Sequence, residues 1–334
     1  MNIIFRWRAA AIAAFVALAP SMALACACGC GVFDVGGGQF MPQTMGLGFT
    51  AWLRYDYMDQ NQNWEGDHSA PAADNDDKLI RTHFFTIGGQ YTINGKWSVM
   101  AELPFFDRTF RTTDDDGSVF GRAGGIYQVH LNAPGDLQVA GMYTGFSSDR
   151  STGLGLGLKL PTGVWHSPVG PFGGDEFDRD SLPGTGTTDA MIEGYHLGSF
   201  DKAKRFNWFM QAKYDIPFSA RAGYRPGNEL DAAAGVTYDL GKHGVFDAVA
   251  PMLQLVNSYR IHDTGPQADE LNSGYERLLI SPGFEVRVKR VRLYADVELP
   301  IYQHTNAAPS VAIEGASGQL VAPALVKVSL AYDF

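Results

Sequence analysis

The sequence predicts an all-β fold, a closed antiparallel β-barrel of about twelve strands that spans a membrane. The last eleven residues, 324–334, alternate strictly between apolar and polar side chains and end on an aromatic residue. Segments with the same two-residue period recur along most of the chain, and short and long connections alternate between them. A period of two places successive side chains on opposite faces of a strand. Tight turns at one end and long loops at the other are typical of transmembrane barrels.

The terminal strand would turn one face to lipid and the other to the lumen. Its length fits a single bilayer crossing by a tilted strand, which takes about 9–11 residues. Its pattern resembles the sorting signal of outer-membrane barrels, although it carries serine where glycine is common. The residues that form this signal are Lys327, Ser329, Tyr332 and Phe334.

The first 25 residues have the form of a secretory signal peptide. Two arginines precede an apolar run that ends before Pro20, and Ala23-Leu24-Ala25 supplies a cleavage site of small residues. This run is too short to cross a bilayer as a helix, and no later stretch approaches the ~18 consecutive apolar residues that such a helix needs. We therefore expect a signal peptide (1–25), a Cys- and Gly-rich segment that is periplasmic or plugs the lumen (26–46), and a barrel (47–334) in the outer membrane of a Gram-negative bacterium.

Twelve segments read as barrel strands because they alternate and are bounded by turn residues. They are 47–58, 79–93, 96–107, 137–147, 152–162, 188–200, 206–218, 230–240, 248–261, 275–288, 291–302 and 323–334. Five short connections would lie at the periplasmic end, among them the turn pair Asn94-Gly95. Six long ones would face outward: 59–78, 108–136, 163–187, 219–229, 262–274 and 303–322. Ten or fourteen strands are the alternatives, because 118–133 has room for another pair.

The face predicted to point into the lumen is charged. Lipid-facing Arg or Lys at the membrane midplane would cost about 2–4 kcal/mol each, so these side chains should line the interior. The predicted lining residues are Arg54, Asp56, Glu102, Lys159, Lys213, Asp215, Asp231, Arg277, Glu285, Arg287, Arg292, Asp296, Glu298 and Lys327. Because both signs occur in similar numbers, two interpretations stay open: the charges pair and fill the lumen, or they line a watery path.

Four short motifs resemble the outer-membrane barrels named for the meta-pathway of phenol degradation, the MetA-type, transporter-like barrels. They are GDLQV at 135–139, GLGLGLKLPTG at 153–163, YRPGN at 224–228 and SGYERLLISPG at 273–283. The resemblance runs from about residue 135 to the last strand. It implies a barrel that passes small, often hydrophobic or aromatic compounds through the outer membrane. It carries over no substrate-contacting residue.

The three cysteines of the chain lie together at Cys26, Cys28 and Cys30. Clustered thiolates suit Cu(I) or Zn, but no histidine lies nearby to complete a tetrahedral site. Lipidation of Cys26 is a second interpretation. A redox-linked or structural clip that leaves one thiol over is the third.

The function predicted from these features is passive passage of a small solute through a monomeric barrel. No nucleotide-binding loop is visible, and the sequence has no Gly-x-Ser-x-Gly elbow, so we expect neither a cofactor nor an enzyme. A net charge of −10 argues against nucleic acid as a partner. The expected partners are outer-membrane lipid and lipopolysaccharide, the barrel-assembly machinery and the solute. The alternatives are a barrel whose Cys-rich N-terminus binds metal, and a purely structural membrane protein.

Overall fold

The computed structural model describes residues 47–114, 125–166, 179–307 and 318–334. Within these residues no helix is both long and apolar enough to cross a membrane. The strands found there, in chain order, are β1 (Gly48–Gln60), β2 (Gln62–Glu65), β3 (His68–Ser69), β4 (Asp77–Thr92), β5 (Trp97–Asp114), β6 (Gly125–Pro134), β7 (Leu137–Tyr143), β8 (Thr152–Leu160), β9 (Asp189–Ser199), β10 (Phe206–Pro217), β11 (Glu229–Tyr238), β12 (Ala248–Arg260), β13 (Tyr275–Val288), β14 (Val291–Thr305), β15 (Gln319–Val321) and β16 (Leu325–Asp333).

Twelve of these strands form a closed antiparallel ring, so the predicted fold class is confirmed. Going round the ring, the order is β1, β4, β5, β7, β8, β9, β10, β11, β12, β13, β14 and β16, and β16 pairs with β1 to close it. The closing register sets Lys327 of β16 opposite Asp56 of β1 and also opposite Asp296 of β14. A closed ring leaves its twelve strands no free edge.

The two faces of the ring differ in polarity as the alternation predicts. On β16, Lys327 and Ser329 are buried, whereas Leu330 and Tyr332 are exposed. On β8 the outward Leu154 and Leu156 are exposed, and Gly155 between them faces inward. Apolar side chains on the outside of a ring and charges inside it are the arrangement that a bilayer demands.

The ends of the barrel differ in the length of their connections. At one end, which we call the short-turn end, β13 and β14 are joined by Lys289 and Arg290 alone. Exposed aromatic residues gather there, including Trp97 and Phe334. We call the opposite end the long-loop end. An aromatic girdle at a rim is typical of the boundary between lipid and water.

The prediction of a long connection over 108–136 was wrong. β5 continues to Asp114, and β6 runs antiparallel to its outer half, from Phe105 to Asp114. β7 pairs with the inner half of β5, so β6 and β7 act as one strand interrupted at Gly135 and Asp136. The outward side chains of this hairpin are mostly polar, as at Arg111 and Gln128, although Ile126 is exposed among them. It therefore lacks the apolar outer face by which the other strands were recognised. The ring consequently keeps twelve strands instead of fourteen.

Two further long connections fold back over the barrel mouth. β2, β3 and β15 form a small separate sheet, which the sequence did not predict. Leu320 of β15 is buried with Ile80, Phe110 and Leu182 in an apolar cluster at the long-loop end. This cluster narrows the mouth of the lumen.

Candidate functional site in the barrel lumen

A cavity of about 160 Å³ lies inside the ring, toward the long-loop end. Side chains of β1, β4, β5, β7, β8, β9, β10, β11 and β12 line it, together with inward-folded parts of the connections. The strands that supply it all turn alternate residues inward, so the cavity walls are the polar faces of the strands. Two walls of different chemistry face each other across it.

The first wall, here called the carboxylate wall, is formed by β8 to β11. It carries four carboxylates and two lysines: Asp189, Asp215, Glu229, Asp231, Lys159 and Lys213. The Nζ atom of Lys159 lies 2.6 Å from Oδ2 of Asp189 and 3.8 Å from Oδ2 of Asp215. Lys213 lies 3.9 Å from the same Asp215 oxygen and donates a 2.7 Å hydrogen bond to Gln138. Lys159 therefore pairs with Asp189, and both lysines share the Asp215 carboxylate.

The second wall, here called the aromatic wall, belongs to β1, β4 and β5. Phe84 and Phe106 meet edge to face with ring centroids 4.9 Å apart. The guanidinium carbon of Arg108 lies 5.5 Å from the Phe106 ring centroid, within cation–π range. Arg54 forms a 2.9 Å ion pair with Asp56, and one of its nitrogens is 3.9 Å from Glu102. This wall combines an apolar surface with guanidinium groups.

Residues 179–187, here called the cap, cover the cavity at the long-loop end. Asp136 accepts three hydrogen bonds, two of which hold the cap: those from the Thr185 amide (2.9 Å) and the Thr185 hydroxyl (3.1 Å), beside one from the Gly163 amide (2.9 Å). Arg108 donates to the backbone carbonyl of Ser181 at 2.5 Å. The cap is thus fastened to both β5 and the break between β6 and β7.

Arg179 ties the cap to the neighbouring connection, 218–228. It donates to the carbonyl oxygens of Arg221 (3.1 Å) and Thr185 (2.9 Å), and its guanidinium lies 5.0 Å from the Tyr224 ring centroid. The Tyr224 hydroxyl donates a 2.7 Å hydrogen bond to Asp263. Burial and that carboxylate raise the pKa of the Tyr224 phenol well above its usual range, so it remains a neutral donor.

Six of the predicted lining residues come together at the cavity: Arg54, Glu102, Lys159, Lys213, Asp215 and Asp231. Six others are buried inside the ring away from the cavity: Asp56, Arg277, Arg292, Asp296, Glu298 and Lys327. Among the latter, Lys327 and Glu298 form a 3.1 Å ion pair, and Asp296 accepts hydrogen bonds from Gln254, Ser281 and Tyr294. The remaining two, Glu285 and Arg287, lie near the short-turn end, where Glu285 is half-buried and Arg287 exposed.

Several cavity residues were missed by reasoning from sequence. Arg108 and Asp136 lay in a segment read as a loop, and Arg179 lies in a true connection. Asp189 and Glu229 are the first residues of their strands, where alternation has not yet begun to show. Phe84 and Phe106 are apolar residues that face inward. The rule that polar side chains face the lumen and apolar ones face lipid would have assigned both of them to lipid. One signal was available in the sequence. Phe106 lies four residues after Glu102 in the same strand, so the two side chains lie on the same face, and Glu102 is expected in the lumen.

The other candidate site, Cys26, Cys28 and Cys30, lies outside the described residues. In the ranges that are described, no group of three or more His, Cys, Asp or Glu side chains is arranged to hold a metal ion.

Comparison with known proteins agrees on the fold. No family model matches the chain, and no curated protein matches it. Among solved structures, an outer-membrane channel from Pseudomonas putida F1 superposes with a TM-score of 0.61 at 10% identity, covering 90% of this chain and 100% of that one. The β domain of the Bordetella autotransporter BrkA superposes with a TM-score of 0.51 at 13% identity, covering 86% of this chain and 100% of that one.

The ring, its apolar exterior and these two likenesses define the protein as a transmembrane β-barrel. Outer-membrane barrels have short turns on the periplasmic side and long loops outside, and we expect the same orientation for the short-turn and long-loop ends here.

Proposed function

We propose that the protein is a passive outer-membrane channel for a small organic solute, and that the cavity under the cap is the solute site. The single observation that carries this proposal is the cavity of about 160 Å³ enclosed by the ring. A barrel whose only role was structural would gain stability from filling such a space, because an unfilled interior loses packing contacts. The proposal assigns no catalytic step.

The aromatic wall supports a solute with an apolar, ring-like part. Phe84 and Phe106 offer an apolar surface inside an otherwise charged lumen, and aromatic pairs favour further edge or offset stacking. The MetA-type resemblance points the same way, and the similar structure from Pseudomonas putida F1 is that of an outer membrane channel. The driving force would be the concentration gradient of the solute.

The test is osmotic swelling of liposomes that contain the purified, folded barrel. We expect swelling in isotonic glycine and progressively slower swelling with larger solutes up to sucrose. Liposomes that stay impermeable to all of them, although the barrel is folded, would contradict the proposal and favour the structural role.

We also propose roles for the parts of the chain outside the cavity. Residues 1–25 would direct export, and residues 26–46 would lie below the barrel or enter it. Lys327, Ser329, Tyr332 and Phe334 would present the sorting signal to the barrel-assembly machinery. Lipopolysaccharide would surround the long-loop end.

A further inference from the structure

We infer that the solute accepted by the cavity is a single-ring compound that carries an ammonium group. This inference rests on the proposed function and names the chemistry of the same site. It starts from how charge is distributed round the ring. β4 and β11 are six strands apart in either direction, and so are β1 and β10. The aromatic wall and the carboxylate wall therefore face each other across the lumen.

The carboxylate wall has more acids than bases. Four carboxylates face two ammonium groups there, and the guanidinium of Arg260 on β12, which is paired with Glu229 in the strand register, is the third cation beside them. Asp231 is only 7% exposed. In the part of the chain that is described, the Oδ1 atoms of Asp231 and Asp215 are buried without a hydrogen-bond donor. Since buried carboxylate oxygens are costly to leave without donors, this wall is suited to receive a further cation that can donate hydrogen bonds.

An ammonium ion meets that requirement better than the other classes of group. It supplies three N–H donors and a positive charge, and charge-assisted hydrogen bonds to carboxylates are roughly twice as strong as neutral ones. An anion would meet four carboxylates on this wall, and on the opposite wall Arg54 is already paired with Asp56 and Arg108 already donates to the Ser181 carbonyl. A neutral ring would leave both Oδ1 atoms without a donor.

The aromatic wall and the volume of the cavity determine the apolar part of the solute and its size. Phe84 and Phe106 present the apolar surface that a ring needs. An apolar cavity of about 150 Å³ is known to hold one benzene ring, and this cavity is about 160 Å³. One ring with a short ammonium-bearing arm would span the space between the two walls.

The experiment measures binding to the purified, folded barrel in detergent by isothermal titration calorimetry. The probes are benzylammonium, benzyl alcohol and benzoate, which share a ring and differ in charge, and methylammonium, which lacks the ring. We expect benzylammonium to bind at least ten-fold more tightly than each of the other three. Equal affinity for benzyl alcohol or benzoate would overturn the role of the carboxylate wall. Equal affinity for methylammonium would overturn the requirement for a ring.

Variants locate the binding within the lumen. Asp231→Asn and Asp215→Asn should each weaken benzylammonium binding at least ten-fold, and two variants are used so that a folding defect in one leaves the other to decide. Glu276→Gln is the matched control, because Glu276 lies on the outward face of β13. Unchanged affinity in a folded aspartate variant would overturn the inference. Because binding is measured without a membrane, a barrel that binds benzylammonium but admits no solute would contradict the proposed function alone.

Discussion

At the scale of single residues, Gly88 of β4 makes room for a lumen side chain. A Cβ atom at this position would lie 2.1 Å from Cε2 of the Trp52 ring. Trp52 is buried, with Met100 and Ala331 packed against it. Gly88→Ala should therefore displace the indole and destabilise the barrel by about 1–3 kcal/mol, the usual cost of overpacking.

The measurement is the midpoint of urea unfolding, followed by tryptophan fluorescence in detergent. Gly141→Ala is the matched control on β7, because a Cβ atom there meets nothing within 4 Å. Equal midpoints for the two variants would show that Trp52 is not held as described.

The ion pair between Lys327 and Glu298 gives a second prediction for single residues. Both side chains are buried and lie 3.1 Å apart. Lys327→Met leaves the Glu298 carboxylate without its cation and should cost about 3–5 kcal/mol of unfolding free energy. Adding Glu298→Gln removes the buried charge and should restore most of that loss. A double variant no more stable than Lys327→Met would contradict this account.

At the scale of elements, Asp136 fastens the cap by accepting two hydrogen bonds from Thr185. Removing its carboxylate by Asp136→Ala deletes three hydrogen bonds to Gly163 and Thr185. We expect faster hydrogen exchange in residues 179–187 and a higher open probability in planar bilayers. Glu276→Gln serves as the control. Unchanged exchange in the cap would show that Asp136 does not fasten it.

The terminal strand gives a second prediction for an element. The Phe334 amide donates to the Phe49 carbonyl (2.9 Å), and its ring lies 5.5 Å from the Phe49 ring and 4.8 Å from the Tyr332 ring. Deleting Phe334 should lower the amount of folded barrel in the outer membrane, because the signal and a closing contact are lost together. Phe146→Ala, which removes another exposed aromatic residue, is the control. Equal yields would argue against a sorting role.

The elements also show what sequence can predict and why. Strands such as β8 and β16 were predictable because lipid on one side and polar side chains on the other impose alternation. β6 was missed because it rises beyond lipid, where nothing requires an apolar outer face. The cap was missed because a connection that folds inward, as at Leu182, is specified by long-range contacts such as those with Ile80 and Phe110.

The same physics limits prediction of the cavity. Charged residues in the middle of strands, such as Asp215 and Lys213, could be assigned to the lumen from parity alone. The order of strands round the ring decides which of these side chains face the open cavity and which form ion pairs. Lys327, for example, contacts Glu298 only because β16 lies beside β14. The inward aromatic pair required the register of β4 against β5, which sets Phe84 opposite Phe106.

At the scale of the whole molecule, the barrel interior is the proposed route of passage for the solute. The charges away from the cavity are largely paired and fill the lumen, whereas the cavity under the cap keeps an open volume of about 160 Å³. The paired charges fit the interpretation of a filled lumen in that part of the barrel, and the watery path stays a prediction that the cavity supports.

The most direct test of this route is single-channel conductance with a reporter cysteine in a chain whose Cys26, Cys28 and Cys30 are replaced by serine. Thr86→Cys places the thiol on the cavity lining, and Thr109→Cys places it on the outward face of β5. The account predicts that a charged methanethiosulfonate reagent reduces the conductance of the Thr86→Cys barrel and leaves that of the Thr109→Cys barrel unchanged. Equal effects on both variants, or no effect on the first although its thiol is modified, would contradict passage through the lumen.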